Sequence, residues 1–289
     1  MHSSQDLSRR QFLGLAGMAS AMFGLGLVGC SSSGDSTTAA ATTSTDSVLD
    51  TIKSRGVLNV GVKKDVPGYG YLDPATNTYK GLEIDLSYEV AAKVFGGTAD
   101  EAKEKGLCAF TDVTPKTRGP LIDNGQLDMI AATYTITDER KQSWDFSDPY
   151  REDSIGLLIK KGSMSQLSDL DGKIIGVSQG STTKDAVTKM LTEQSISATP
   201  TFQEFADYTS IKSALDAGNI DVFSVDRSIL GGYIDDTTEL LCPDIKFGTQ
   251  QYGIATKKDC DFSSTVNEVV DDLKSSGKLD EMISSWNLL

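Results

Sequence analysis

Four charged residues stand where apolar runs stop. Lys63 follows GVLNVGV (56–62), Arg118 sits in PKTRGPL (115–121), Arg140 lies in TYTITDERKQSWDF (133–146), and Asp226 closes NIDVFSVD (219–226). A carboxylate at the end of an apolar run is costly unless a cation or hydrogen-bond donors meet it. For Asp226 that partner is either its neighbour Arg227, which strand alternation turns to the opposite face, or the ammonium group of a ligand. Arg140 falls in the first turn of a short polar helix that the Thr137 hydroxyl can cap. A first turn already presents partial positive charge, so Arg140 either pairs with Asp138 or Glu139 or receives an anion from outside. In QGSTT (179–183), Gly180 allows a tight turn and Ser181 and Thr182 open a helix. Such a start either binds a carboxylate or phosphate or is an ordinary N-cap. Arg118, alone, reads equally well as a solvated surface arginine.

What is missing narrows the chemistry further. The one histidine is His2, inside a segment expected to be removed, so histidine-based nucleophile activation and histidine-ligated metal sites are excluded for the mature chain. No metal and no cofactor is expected. Cys108, Cys242 and Cys260 form an odd set that allows at most one disulfide, Cys242 with Cys260 being one option and three buried thiols the other. A formal charge of −14 argues against nucleic acid as a partner.

The elements that must position these residues alternate. Strand 56–62, helix 81–96, short helix 117–125 and strand 127–133 form one series. Strand 173–179, helix 181–191, strand 199–205, helix 208–218 and strand 219–226 form a second. Both end on a helix stop, glycine, apolar residue, aspartate and apolar strand, in NGQLDMIAAT (124–133) and AGNIDVFSVD (217–226). This repetition predicts an α/β protein of two lobes of related build. In FSDPYREDSIGLLIKKG (146–162) Pro149 is expected to break a helix before an extended run, and TQQYGIATKK (249–258) reads as one strand; two such crossings make a hinge. The expected division is 47–152 and 250–289 for the first lobe and 153–249 for the second, with two C-terminal helices. Ligands in open α/β sheets lie beyond the carboxyl ends of strands, which selects Lys63, Thr133, Thr135, Ser181, Thr182 and Asp226.

Residues 1–29 read as an export signal with a twin arginine, Arg9 and Arg10, and a short glycine-rich apolar stretch. LVGC matches the lipobox of bacterial lipoproteins, with Cys30 the acylated residue, and residues 30–46 make a flexible tether. The expectation is a body lipid-anchored to the outer face of a membrane, at a cell surface or in a periplasm.

From about residue 48 to 289 the chain resembles the solute-binding proteins of polar amino-acid ABC transporters. The stretches that carry the resemblance are VGVKKDVPGYGYLD, KGLEIDLSYEVA, TPKTRGPLIDNGQLDMIAATYTITDERK, FSDPY, DLDGKIIGVSQGSTTKDA, SIKSALDAGNIDVFSVDRSILGGY and QQYGIATKKD. The resemblance implies a type II periplasmic-binding-protein-like fold with a two-strand hinge, a monomer and an ABC permease as partner. Through VKKDVP and KTRGPLIDNG it is most similar to receptors for aspartate and glutamate. It implies that Arg140 clamps the ligand α-carboxylate, with Thr135 and the Thr133 main chain assisting and Ser181 and Thr182 closing on it. By the same carry-over, Asp226 receives the α-ammonium, Lys63 and Arg118 hold the side-chain carboxylate, and Tyr208 and Tyr252 form walls. Three cations against Asp226 then favour an acidic ligand. A receptor for glutamine or another polar amino acid, and a dehydratase-type enzyme on the same fold, remain open alternatives.

Overall fold

The repeated turn is built twice with the same hydrogen bonds in the computed structural model, which describes residues 47–288. Gly125 and Gly218 take φ of +73° and +75°, left-handed values that end a helix cheaply only for glycine. The aspartate three residues later fastens the start of a neighbouring strand. Asp128 Oδ2 accepts the Asn59 N–H at 2.7 Å while its own N–H donates to the Asn59 carbonyl at 2.9 Å. Asp221 does the same to Ile174, with both distances 2.9 Å. A base stands beside each, Arg55 at Asp128 and Lys173 at Asp221.

Along the chain come α1 (Val48–Arg55), β1 (Leu58–Val62), β2 (Asp65–Val66), β3 (Gly70–Asp73), β4 (Thr78–Lys80), α2 (Leu82–Phe95), α3 (Ala99–Glu104), β5 (Cys108–Asp112), α4 (Arg118–Asp123) and β6 (Met129–Ala131). There follow α5 (Asp138–Lys141), β7 (Trp144–Phe146), β8 (Arg151–Lys160), β9 (Ile174–Ser178), α6 (Thr183–Glu193), β10 (Thr201–Phe205), α7 (Tyr208–Ala217) and β11 (Val222–Asp226). The last are α8 (Arg227–Leu230), β12 (Thr238–Leu240), β13 (Phe247–Tyr252), β14 (Ala255–Lys257), α9 (Phe262–Ser275) and α10 (Lys278–Ser285).

One sheet has the order β5-β1-β6-β14-β7 and the other β10-β9-β11-β8-β12, with β13 also on β8. In each, three parallel strands are followed by an antiparallel one that arrives from elsewhere in the chain. The two lobes thus share a strand order, as the sequence echo predicts. Helix α2 buries Leu82, Leu86 and Val90 in a core that also holds Val60 and Val62 of β1 and Val266 and Val270 of α9. Burying each such side chain contributes about 1.5 to 3 kcal/mol. A separate core in the second lobe joins Ile155 and Leu157 of β8, Ile175 and Val177 of β9, and Val187 and Met190 of α6.

The chain leaves the first sheet after β7 and returns at β14. Between them β8 and β13 pair antiparallel, with Arg151 opposite Tyr252 and Asp153 opposite Gln250, so the expected borders at 152/153 and 249/250 fall inside the two connecting strands. Two expectations are corrected here. Pro149 separates strands β7 and β8 and breaks no helix. Residues 249–258 are not one strand: Gly253 and Ile254 divide β13 in the second sheet from β14 in the first, so that each sheet receives its own segment. The expected elements do not include the meander β2-β3-β4 or the strand β5, in which no residue is fully buried.

Cys108, Cys242 and Cys260 are free, so the considered Cys242–Cys260 disulfide does not form; burial pushes the Cys108 thiol up to about 12, which keeps it unreactive. Among the described residues no helix is long and apolar enough to cross a membrane. The expected signal at 1–29, Cys30 and the tether at 30–46 lie outside the described residues.

Candidate functional site

The carboxyl ends of β1, β6, β9 and β11 supply the residues that the strand-end rule selects, and each now has definite neighbours. Thr137 caps α5 as expected, its hydroxyl accepting the Arg140 N–H at 3.1 Å. The Arg140 side chain pairs with neither Asp138 nor Glu139. Its Nη1 donates to the Thr135 carbonyl at 2.7 Å, and its Nη2 reaches the Gly180 carbonyl of the second lobe at 3.2 Å. Burial, and then the neighbouring Arg118, lower its pKa to about 10, which leaves it a cation at neutral pH.

Arg118 is buried, which removes the surface-arginine reading. Its Nη1 donates to the Ala132 carbonyl at 2.6 Å, its guanidinium lies 3.6 Å from the centre of the Tyr134 ring, and its Nε has no partner. The same ring carries Arg140 at 4.7 Å. Tyr134, which sequence reasoning missed, is thus the apolar plate against which both guanidinium groups rest. Among the described residues neither arginine forms an ion pair with a carboxylate.

Lys63 behaves differently. Its Nζ lies 3.0 Å from Asp65 Oδ1, an ion pair by distance though off the angle of a hydrogen bond, and 4.7 Å from the centre of the Tyr208 ring. Asp65 Oδ2 accepts the Tyr208 N–H at 3.0 Å, and the Tyr233 hydroxyl donates to the Asp65 carbonyl. The expected free cation is therefore committed to a neighbouring acid that itself joins the first lobe to α7. Tyr208, expected as a wall, stands beneath Lys63.

Asp226 is buried at the end of β11, and the ion pair with Arg227 does not form. Its partner is the Tyr252 hydroxyl, which donates to Oδ2, so the residue expected as a wall is here a hydrogen-bond donor. Burial first and the nearby Asp153 second raise the Asp226 carboxyl to about 7, against the downward pull of Tyr252, Arg118 and Arg140.

Thr133 has φ of +44°, a left-handed value that costs a β-branched residue about 1 to 3 kcal/mol. What holds it is Glu83, whose Oε1 accepts the Thr133 N–H and the Tyr150 hydroxyl. Glu83 is fully buried, and burial raises its carboxyl to about 7 despite those two donors, Arg118 and Lys63. Sequence reasoning passed over it as the polar side of an amphipathic helix. With Asp65 and Glu83 added, the buried acids are no longer Asp226 alone, and the expected surplus of positive charge disappears when all are ionised.

Thr182 occupies the N-cap position of α6 but makes no side-chain cap bond. Its hydroxyl and that of Thr135 both turn to Gln250. The Ser181 hydroxyl oxygen is buried without a partner, and Ser181 lines a cavity of about 470 Å3 together with Tyr134, Arg140, Gly180 and Thr182. A second cavity of about 610 Å3 is lined by Thr135, Thr182 and Gln250. Arg118 and Asp226, both buried, line neither cavity; with Arg140 and Ser181 they supply two guanidinium groups and a free hydroxyl for anions and one carboxylate for a cation. Among the described residues no cluster of His, Cys, Asp and Glu could hold a metal ion.

Residues 58–288 match the family model of bacterial extracellular solute-binding proteins, family 3. The ABC transporter glutamine-binding protein GlnH of Bacillus subtilis is 33% identical over 264 residues, covering 90% of this chain and 91% of that one. The glutamate-binding protein GluB of Corynebacterium glutamicum is 32% identical over 250 residues, covering 83% and 78%. Among solved structures, a mutant of ArgBP from T. maritima is similar with a TM-score of 0.71 at 28% identity, covering 84% of this chain and all of that one.

Proposed function

From the premise that this chain belongs to the bacterial extracellular solute-binding proteins of family 3, amino-acid-binding components of ABC transporters that work outside the cytoplasm, we propose that its two lobes close on an acidic amino acid, glutamate or aspartate. One observation carries the choice of an acid. Arg118 is buried and Arg140 half-buried, each is bonded to carbonyl oxygens that do not cancel its charge, and a charge taken out of water is stable only when paired. A dicarboxylic amino acid brings one carboxylate for each and an ammonium for Asp226. In this reading Arg140 and Ser181 hold the α-carboxylate, Arg118 the side-chain carboxylate, and Asp226 the α-ammonium. The ligand touches both lobes only when they are closed, so it shifts that equilibrium by its differential affinity.

Glutamine is the second reading, favoured by the commitment of Lys63 to Asp65 and by Glu83 acting on Arg118. Calorimetry with glutamate, aspartate, glutamine, histidine and arginine separates them. An amide in place of the carboxylate forfeits a charge-assisted hydrogen bond of about 1.5 to 3 kcal/mol, roughly ten- to a hundredfold in Kd. Arg118→Ala should reduce that preference to a few-fold while leaving the α-carboxylate clamp in place. Tight binding of a neutral or basic amino acid, with none of the acidic pair, overturns acidic specificity.

The chain acts as a carrier, not an enzyme. A dehydratase would need a positioned acid, and Asp226, whose carboxyl is raised to about 7, is the ammonium partner here. Delivery requires an ABC permease, to which the lobes dock while a lipid on Cys30 keeps them at the membrane. Support for the anchor is the LVGC motif, and the mass of the mature N-terminus tests it: an unmodified N-terminus upstream of Cys30 rules acylation out.

A further inference from the structure

Gln250, which reads in the sequence as part of an apolar strand, holds three hydrogen bonds on one buried side-chain amide. Its Nε2 donates to the Gly248 carbonyl at 2.7 Å, and its Oε1 accepts from the Thr135 hydroxyl at 2.6 Å and the Thr182 hydroxyl at 2.8 Å. The first bond decides which way the amide faces. A backbone carbonyl only accepts, so the nitrogen must face Gly248 and the oxygen must face the threonines. Both hydroxyls must then donate, because an amide oxygen has no proton to give. The register shift between Phe247 and Gln250 in the pairing with β8 is the kind of irregularity that re-aims a side chain. Thr135 belongs to the first lobe and Thr182 to the second, so one acceptor takes a hydrogen bond from each.

A hydroxyl whose only proton is committed presents lone pairs alone to the cleft. We infer that Gln250 is a positioning residue: it fixes the polarity of both threonine hydroxyls, so that they accept the N–H groups of a bound amino acid and disfavour its carboxylate oxygens. The α-carboxylate is thereby left to Arg140 and Ser181, in place of the expected closure of the Thr182 hydroxyl upon it. This rests on the amino-acid reading above.

The test compares ligands that differ only in the amine: glutamate with glutarate, and glutamine with glutaramate. Gln250→Met, a near-isostere without the acceptor, frees both hydroxyl protons. The affinity ratio of each amino acid over its amine-free analogue should fall about tenfold. In a Thr135→Val/Thr182→Val background, Gln250→Met should change that ratio no further. Equal weakening of both members of a pair, or a further fall in the valine background, overturns the inference, because a merely structural glutamine gives either result. Should Gln250→Met fail to fold by circular dichroism, Thr182→Val alone decides: a lowered ratio supports the inference and an unchanged one overturns it. Wild-type protein that binds none of the four ligands overturns the amino-acid reading itself, and the inference with it.

Discussion

Arg140→Ala is expected to weaken the binding of every amino acid by roughly thirtyfold to several thousandfold, with an unchanged far-ultraviolet circular dichroism spectrum. Removing one partner of a buried hydrogen-bonded charge pair costs about 2 to 5 kcal/mol, which converts to that range. The α-carboxylate is common to all amino acids, so the loss should not depend on the side chain. That separates it from Arg118→Ala, whose effect should be confined to acidic ligands. A second contribution comes from the bond to the Gly180 carbonyl, through which Arg140 also ties the first lobe to the turn before α6. Arg140→Lys is informative for this reason. A lysine keeps the charge but lacks the planar fork that reaches the Thr135 and Gly180 carbonyls together, so it should rescue only part of the loss. Wild-type affinity in Arg140→Ala, measured by calorimetry, overturns the clamp.

Asp226→Asn is expected to cost a comparable amount and to change how binding responds to pH. With its carboxyl raised to about 7, Asp226 in the protein alone is partly protonated at neutral pH. A ligand ammonium favours the ionised form, so binding expels a proton. Affinity should therefore be level above about pH 7 and fall toward tenfold per unit below it, roughly twenty- to thirtyfold between pH 7.5 and 5.5. The asparagine variant should lose this slope, and any that survives belongs to Glu83, whose carboxyl also stands at about 7 facing Thr133, Tyr150, Arg118 and Lys63. Stability has the opposite sign. Because the folded pKa lies above the ordinary 3.8, the folded chain retains a proton that the unfolded chain has lost between about pH 4 and 7, and ionising Asp226 costs stability across that window. At pH 8 the variant should thus melt at a higher temperature than wild type without amino acid, and gain little when amino acid is added. A variant with wild-type affinity and the wild-type pH profile removes Asp226 from the site.

Both predictions depend on partners of very different legibility. The cap on Arg140, the helix stops at Gly125 and Gly218 and the doubled aspartate turn are decided within a few residues, and a reading of local propensity reaches them. The partner of Lys63 was also within reach: Asp65 is two residues on, and residues two apart share a face in extended chain. Glu83 was hidden by its setting, since an acid in the first turn of an amphipathic helix ordinarily faces water.

By itself, the sequence determined the α/β alternation, the pairing of two similar series and the excess of charge at strand ends. Each is a matter of periodicity or of a single turn, where side-chain direction follows from backbone geometry. Only the tertiary structure decided which of those charges stay unpaired. Thr135 meets Gln250 across 115 residues, and Asp65 meets the start of α7 across 143. Contacts of that span are set by how two lobes pack and where two hinge strands cross. Packing therefore turned Lys63 into a paired cation and Thr182 into a donor to Gln250, and left Arg118 and Arg140 against one tyrosine ring without an acid between them.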